Sequence, residues 1–329
     1  MKNAVGSSIV VDKLSKRFGE VQAVSGASFE VLHGELFGFL GPNGAGKTTI
    51  INMLTGLARP DSGKIRIAGI DCTENPKAAQ HLTGVVPDES NLYPELTGFD
   101  NLCFCAALYG IKKKVREDRA RELLDMFGLT DAAGRKFAGY SKGMKRKLTI
   151  AAGIIHNPPI LFLDEPTTGI DVASARLLRQ LIASLHKAGT TIFLTTHYIE
   201  EAERLCDRIA FIVRGKIVRI DTVTNLIQPI QEKHVMQLAL SDSESILHDK
   251  LAETFPHLSF KDLAQGLIRV EAGEPVHVGP LVRFLEDNGV RVNEARRIQL
   301  SLEDVFVKIT GIEADAMRRE KEKKGGNGI

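Results

Sequence analysis

Residues 41–48 read Gly-Pro-Asn-Gly-Ala-Gly-Lys-Thr, and a G-x-x-x-x-G-K-T spacing is built for cradling phosphate. Gly44 and Gly46 let the main chain curl around an anion and aim its N–H groups inward, which a Cβ would obstruct. A helix opening near Lys47 adds its positive end. Lys47 supplies a point charge to the β and γ phosphates, and the Thr48 hydroxyl can ligate Mg²⁺. The apolar run 36–40 in front of the loop reads as a strand. Strand, glycine turn and helix together point to a nucleoside triphosphate.

Two further positions have matching chemistry. Asp164 follows the apolar run 160–163, and a carboxylate at a strand tip suits Mg²⁺, held directly or through water. Glu165 beside it adds charge repulsion at a buried strand end, and polarising an attacking water accounts for its presence. His197 ends the strand-like run 191–194 and could hydrogen-bond a γ-phosphate and orient that water.

The elements that must position these groups follow from periodicity. Runs 9–14, 28–31, 64–68 and 83–87 read as strands, as do 208–213 and 216–220, paired as a hairpin about Arg214-Gly215. Residues 97–153 are helical in pattern. Thr97 and Asp100 form a loose capping box, with Leu102, Ala106 and Tyr109 at helical spacing. A second helix covers 115–127 with Leu123, Leu124 and Phe127 inward, and Gly128 ends it. Lys112-Lys113-Lys114 reads as a solvated turn. Residues 172–188 form an amphipathic helix with Leu177, Leu178, Leu181 and Leu185 on one face. Strands alternating with helices imply a largely parallel sheet, which carries functional residues at its carboxyl edge. The phosphate loop, Asp164-Glu165 and His197 all fall on that edge.

Two stretches leave alternatives open. Phe18, between the first two strands, either stacks on a base or packs as a hairpin aromatic. Ser141 caps a helix whose first two turns carry Lys142, Lys145, Arg146 and Lys147. Cations oppose the dipole at that end by a few tenths of a kcal/mol each, so either an anion docks there or the side chains reach into solvent.

Composition narrows the class. The chain has 329 residues, enough for about two domains at ~150 each. A net charge of +2 gives no case for bulk nucleic-acid binding. No apolar run approaches the ~18 residues needed to span a bilayer, and residues 1–8 do not resemble a secretion signal. Cys72, Cys103, Cys105 and Cys206 make no disulfide framework or zinc spacing, and read as reduced residues of a cytosolic protein.

Taken in order, G-P-N-G-A-G-K-T-T, Y-S-K-G-M, L-F-L-D-E-P-T-T-G-I-D and L-T-T-H resemble the ATPase subunit of an ABC transporter over about the first 225 residues. The resemblance implies an α/β P-loop ABC ATPase domain over 1–225, with a helical subdomain at about 92–155 that docks on a permease. Phe18 becomes the adenine-stacking aromatic. The nucleotide loop comprises Gly41, Pro42, Asn43, Gly44, Ala45, Gly46, Lys47, Thr48 and Thr49. Asp164 becomes the metal-side acid, Glu165 the catalytic base and His197 the switch histidine. Asp171 closes the loop that couples two sites across a dimer. Ser141, Lys142, Gly143 and Met144 become the segment that contacts the partner's γ-phosphate. Lys142 stands where glycine is expected and Met144 where glutamine is expected. A glutamine that binds Mg²⁺ is replaced by Asp88 or its neighbour Glu89, which retunes the metal contact. The S-K-G-M variant resembles the branch serving type-2 exporters, including multidrug and lipid export.

Residues 226–312 show a different pattern. Strands at 235–240, 266–270 and 290–298, with helices at 244–255 and 276–288, give a β-α-β-β-α-β order that suits a small α+β, ferredoxin-like domain if 258–261 supplies the remaining strand. A last helix starts at 302–306. The segment carries no catalytic constellation and reads as dimer support or regulation. The charged tail 313–329 reads as disordered. The expected ligands are ATP and Mg²⁺, and the expected partners are an integral-membrane permease and a second copy of the chain, on the inner face of the cell membrane, with no nucleic acid. A soluble ABC ATPase acting on ribosomes or nucleic acid is the alternative. Its relatives usually carry two cassettes or a long coiled-coil insertion, and neither is present here. A regulatory module without catalysis does not explain the intact Lys47, Asp164, Glu165 and His197. A P-loop kinase or GTPase leaves Y-S-K-G-M unexplained.

Overall fold

A computed structural model describes residues 6–231, 234–241, 247–263, 266–298 and 300–312. The chain divides into two compact units, Met1–Thr222 with Ile309–Ile329, and Val223–Lys308. The division falls just before the boundary expected at 225, because Val223 already starts a helix.

In the first unit, β1 (Ser7–Phe18) and β2 (Val21–Leu32) form a hairpin longer than the strands read at 9–14 and 28–31. Four register shifts interrupt their pairing, so apolar alternation fades before the strands do. Next come β3 (Leu36–Leu40), buried throughout, and α1 (Lys47–Leu54). Then follow β4 (Ser62–Ile67), β5 (Ile70–Asp71), α2 (Pro76–His81) and β6 (Thr83–Val86). Helix α2 was not anticipated, although Asn75 before Pro76 is a start signal and Asn75 caps it. The helices α3 (Gly98–Leu108), α4 (Lys113–Met126) and α5 (Lys142–Gly153) pack on one another, and α5 also meets β6. Thr97 caps α3 as expected, its Oγ accepting from the Asp100 N–H at 3.0 Å. The unit continues through β7 (Ile160–Asp164), α6 (Val172–Lys187), β8 (Thr191–Thr196) and α7 (Ile199–Leu205). It ends with the hairpin of β9 (Arg208–Val213) and β10 (Lys216–Thr222).

Two sheets result. The smaller is antiparallel, ordered β2-β1-β4-β5. The larger is ordered β10-β9-β3-β8-β7-β6, parallel from β9 to β6. They share a core in which Phe29 of β2 meets Phe37, Phe39 and Phe193 at ring separations of 5.5–5.9 Å. Each aromatic pair adds about 0.5–1.5 kcal/mol beyond its burial. Helix α6 buries Ala175, Leu178 and Ile182, whereas Leu177 is half exposed. The leucine face expected there is therefore rotated. Small Ala175 and branched Ile182 share the buried face with Leu178, which the leucine count obscured.

The parallel register positions the chemistry. Leu40 pairs with Thr196, Thr195 with Asp164, and Leu163 with Val86. Strands far apart in sequence thus end side by side, and their carboxyl ends deliver the phosphate loop, His197, Asp164-Glu165 and Asp88.

The second unit opens with α8 (Val223–Gln231) and contains β11 (His234–Leu240), α9 (Leu247–Thr254), β12 (Ser259–Leu263) and β13 (Leu267–Ala272). It continues with α10 (Val278–Asp287) and β14 (Val292–Ile298), and α11 (Leu302–Thr310) begins within it. The sheet is ordered β12-β13-β11-β14 and is antiparallel throughout. Met236, Leu238, Ile268 and Val270 pack with Leu251 of α9 and with Leu281 and Leu285 of α10. From β11 to β14 this is the β-α-β-β-α-β order read from the sequence. The tail 313–329 lies outside the described residues.

Candidate active site

The loop between β3 and α1 wraps a cavity of about 420 Å³. Asn43, Gly44, Gly46, Lys47, Thr48 and Thr49 line it from one side, Asp88 and Glu165 from another, and Val21, Gln22, Ala23 and Arg214 close its far end. Gly46 has φ +103°, and a Cβ there would run into the Ala23 carbonyl, so this turn accepts only glycine. The Asn43 Nδ2 is buried with no hydrogen-bond partner among the described residues, which suits an acceptor oxygen such as a phosphate's. Loop and orphaned donor both fit a polyphosphate.

Lys47 reaches back over the loop. Its Nζ donates to the carbonyls of Gly41 at 2.7 Å and Pro42 at 3.2 Å, and stands 3.1 Å from Glu165 Oε1. Glu165 has φ +48°, uncommon for a non-glycine residue and worth about 1–3 kcal/mol of strain. The conformation is fixed because its N–H donates to the Thr195 carbonyl at 3.0 Å. Glu165 Oε2 accepts from Thr168 Oγ1 at 2.8 Å and from His197 Nδ1. Burial alone would raise the Glu165 carboxyl. The His197 hydrogen bond, the Lys47 ammonium and the Thr168 hydroxyl outweigh it and hold the group at about 2. An ionised carboxylate only accepts, so His197 Nδ1 is the donor in this contact.

Asp164 behaves oppositely. Burial pushes its carboxyl up, against hydrogen bonds from Thr195 and Thr48, while Glu165 and Asp88 push it further. A divalent cation would relieve that repulsion. Thr48, Asp164 and Asp88 offer only oxygen donors, the set a hard cation such as Mg²⁺ takes together with phosphate oxygens. Asp88 lines the cavity and Glu89 does not.

The remaining sequence candidates lie elsewhere. Phe18, 53% exposed at the tip of β1, is not among the cavity's lining residues, and Lys16 Nζ sits 5.3 Å from its ring centroid. Ser141 caps α5, its Oγ accepting from the Met144 N–H, and neither Ser141, Lys142, Gly143 nor Met144 lines the cavity. A Cβ on Gly143 would run into Ser174 Oγ, and Asp171 accepts from Ser174 N and Oγ at 2.8 and 2.7 Å. Asp171 and the Ser141 segment are thereby adjacent.

One sequence expectation is corrected. Arg146 does not join the other cations at the start of α5 in reaching for solvent or an anion. It is buried, and its guanidinium is spent on main-chain carbonyls. The sequence reading also missed Val21, Gln22, Ala23 and Arg214. The first three are brought in by the early start of β2. Arg214 sits in a turn pinned to the loop by the Gly215 N–H to Ala45 carbonyl bond at 2.9 Å. The Arg-Gly turn between two strand patterns was the only local signal.

A phosphate loop, an ionised Glu165 and a neighbouring Asp164, delivered by the carboxyl ends of β3 and β7 in one largely parallel sheet, with three helices packed together after β6, define a P-loop ATPase cassette. The family model for the ABC transporter domain matches residues 24–168. The daunorubicin/doxorubicin resistance ATP-binding protein DrrA of Streptomyces peucetius is 36% identical over 314 residues, covering 94% of each chain. The Nod factor export ATP-binding protein I of Rhizobium etli is 35% identical, covering 92% of this chain and 93% of its own. The linearmycin resistance ATP-binding protein LnrL of Bacillus subtilis is 40% identical over 70% of this chain and 74% of its own. Among solved structures, an ATP-binding subunit of an ABC transporter superposes with TM-score 0.62 at 30% identity, covering 68% of this chain and 93% of that one. A dimeric cassette in a post-hydrolysis state bound to ADP and phosphate gives TM-score 0.61 at 26% identity, covering 65% and 98%. The chain belongs to the ABC transporter family and is an ATP-binding, ATP-hydrolysing subunit of it.

Proposed function

We propose that this chain powers an exporter from the cytoplasmic face of the membrane, as a homodimer that closes on two ATP molecules and opens after hydrolysis. The observation that carries the catalytic half is the buried cluster of Lys47, Glu165 and His197 at the cavity wall. Lys47 and the loop bind the β and γ phosphates. Thr48, Asp164 and Asp88 would hold Mg²⁺, which would neutralise phosphate charge. Glu165 is the base for the attacking water, and His197 orients it. Ser141, Lys142 and Gly143 act on the partner's nucleotide, in keeping with their place outside this chain's own cavity. Asp171, beside Gly143, couples the two sites.

No helix among the described residues is long and apolar enough to cross a membrane. In this reading an integral-membrane permease provides the transport path. On the helical subdomain, Tyr93 and Phe104 pack edge to face at 4.9 Å and stay substantially exposed, as does Leu108. That apolar surface suits docking on a permease. The resistance and export roles in the relatives' names support outward transport. The unit after Thr222 supports the dimer or regulates it.

The test is a mild-detergent pull-down of Glu165→Gln with ATP, with partners identified by mass. A polytopic membrane protein bound to two copies of this chain is expected. Ribosomal or nucleic-acid partners without a membrane protein would overturn the exporter reading. One copy beside a different ATPase would overturn the homodimer.

A further inference from the structure

Arg146 lies in α5, five residues beyond its cap, and is 4% exposed. A buried arginine normally pairs with a carboxylate. Among the described residues this one has no ion-pair partner. Its fork donates instead to main-chain carbonyls: Nε to Pro166 at 2.8 Å, Nη2 to Asp164 at 2.6 Å, and Nη1 to Asp88 at 3.0 Å and to Pro87. Those carbonyls belong to two segments, one leaving β6 and the other leaving β7. Each segment carries one of the two acids on the metal side of the cavity. Burial lowers the guanidinium pKa, and the surrounding carboxylates of Asp88, Asp164, Glu201 and Glu165 raise it again.

We propose that Arg146 is a positioning residue for the cation site: by clamping the carbonyls of Asp88 and Asp164 it fixes the spacing of their two carboxylates and ties both to the helix capped by Ser141. A planar fork with five donors can hold four carbonyls on two segments at once, which an ammonium cannot. Asp88 needs such a clamp more than Asp164 does. Asp164 ends a buried strand, whereas Asp88 lies in an exposed turn two residues beyond Val86. Arg146 touches neither nucleotide nor cation and acts only through the main chain of the acids that do.

The proposal rests on the reading of Thr48, Asp88 and Asp164 as the Mg²⁺ side of the site, and the test separates the two. ATP affinity is measured with EDTA and with Mg²⁺ for the wild type, Arg146→Lys, Arg146→Gln and Asp164→Asn, alongside thermal melting. In the wild type Mg²⁺ tightens ATP binding, and Asp164→Asn loses the gain. Arg146→Lys and Arg146→Gln are expected to keep the metal-free affinity within about twofold and to cut the Mg²⁺-dependent gain by about tenfold, the usual effect of losing an outer support of a metal site. A lowered melting temperature with the gain intact would make the clamp purely structural and overturn the proposal. Equal loss of both affinities would also overturn it, because Arg146 would then support the whole loop. A wild type without a Mg²⁺-dependent gain would instead sink the cation-site reading itself.

Discussion

Lys47 and Glu165 form an ion pair of 3.1 Å in which the two side chains are only 5% and 6% exposed. The phosphate-binding cation and the base therefore share one buried charge balance. On the proposed roles, a triphosphate on the loop would compete with Glu165 for Lys47 and so loosen the base where the attacking water must be polarised. Binding and chemistry are joined through this contact.

Replacing Glu165 by Gln removes the proposed base and its ion pair with Lys47, but keeps the loop and the Lys47 ammonium that bind phosphate. Turnover is expected to fall by ~10²-fold or more, with ATP binding retained. Phosphate release and equilibrium ATP binding measure the two halves. Near-normal turnover in Glu165→Gln would take Glu165 out of the mechanism.

Lys47→Met leaves a buried carboxylate without its cation. Breaking a buried pair typically costs about 3–5 kcal/mol, and His197 and Thr168 keep this case at or below the lower end. Adding Glu165→Gln to Lys47→Met should restore part of the loss, because the stranded charge is gone. Chemical denaturation of the two single variants and the double variant gives the coupling. Strict additivity would mean that the pair carries no interaction energy.

His197→Ala acts on the base through its pKa. Burial pushes the Glu165 carboxyl up, and the His197 hydrogen bond is the largest influence holding it at about 2. Without it the pKa rises. The wild-type base is ionised throughout the neutral range and imposes no acid limb there. The variant is expected to lose ~10²-fold in rate and to gain an acid limb at higher pH, visible in a profile between about pH 5 and 8. The depressed pKa also contributes stability that is present above the ordinary value of 4.5 and lost as pH falls toward about 2.

Glu201 has the opposite sign. Burial raises its carboxyl against hydrogen bonds from Thr196 and Thr167, the latter through Thr167 Oγ1 at 2.8 Å. The folded protein prefers the protonated form, so this group's contribution is full below 4.5 and is lost as pH rises through the raised value. Glutamine fixes the uncharged state. The melting temperature of Glu201→Gln relative to wild type should therefore climb with pH, by about 2–4 °C for each kcal/mol recovered. A difference that stays flat with pH would show that Glu201 does not titrate in that range.

The sequence by itself determined the local chemistry. Residues 41–48 could be read directly because the loop's function depends on its own glycines, lysine and threonine. Asp164, Glu165 and His197 were legible because each ends an apolar run, and a parallel sheet collects such ends. The β-α-β-β-α-β order of the second unit was legible from period alone. Tertiary structure decided what depends on partners distant in the chain. Lys47 and Glu165, His197 and Glu165, and Asp88 and Asp164 are far apart in the chain and are brought together by the register of β3, β8, β7 and β6. Gln22 and Arg214 reach the cavity because a bulged strand starts early and a distant hairpin is pinned to the loop. Arg146 shows the limit most plainly. In the sequence it is one cation among four at a helix start. In the fold it is buried among carbonyls, because side-chain burial and hydrogen-bond partners are set by the packing of other segments and leave no trace in the residues beside it.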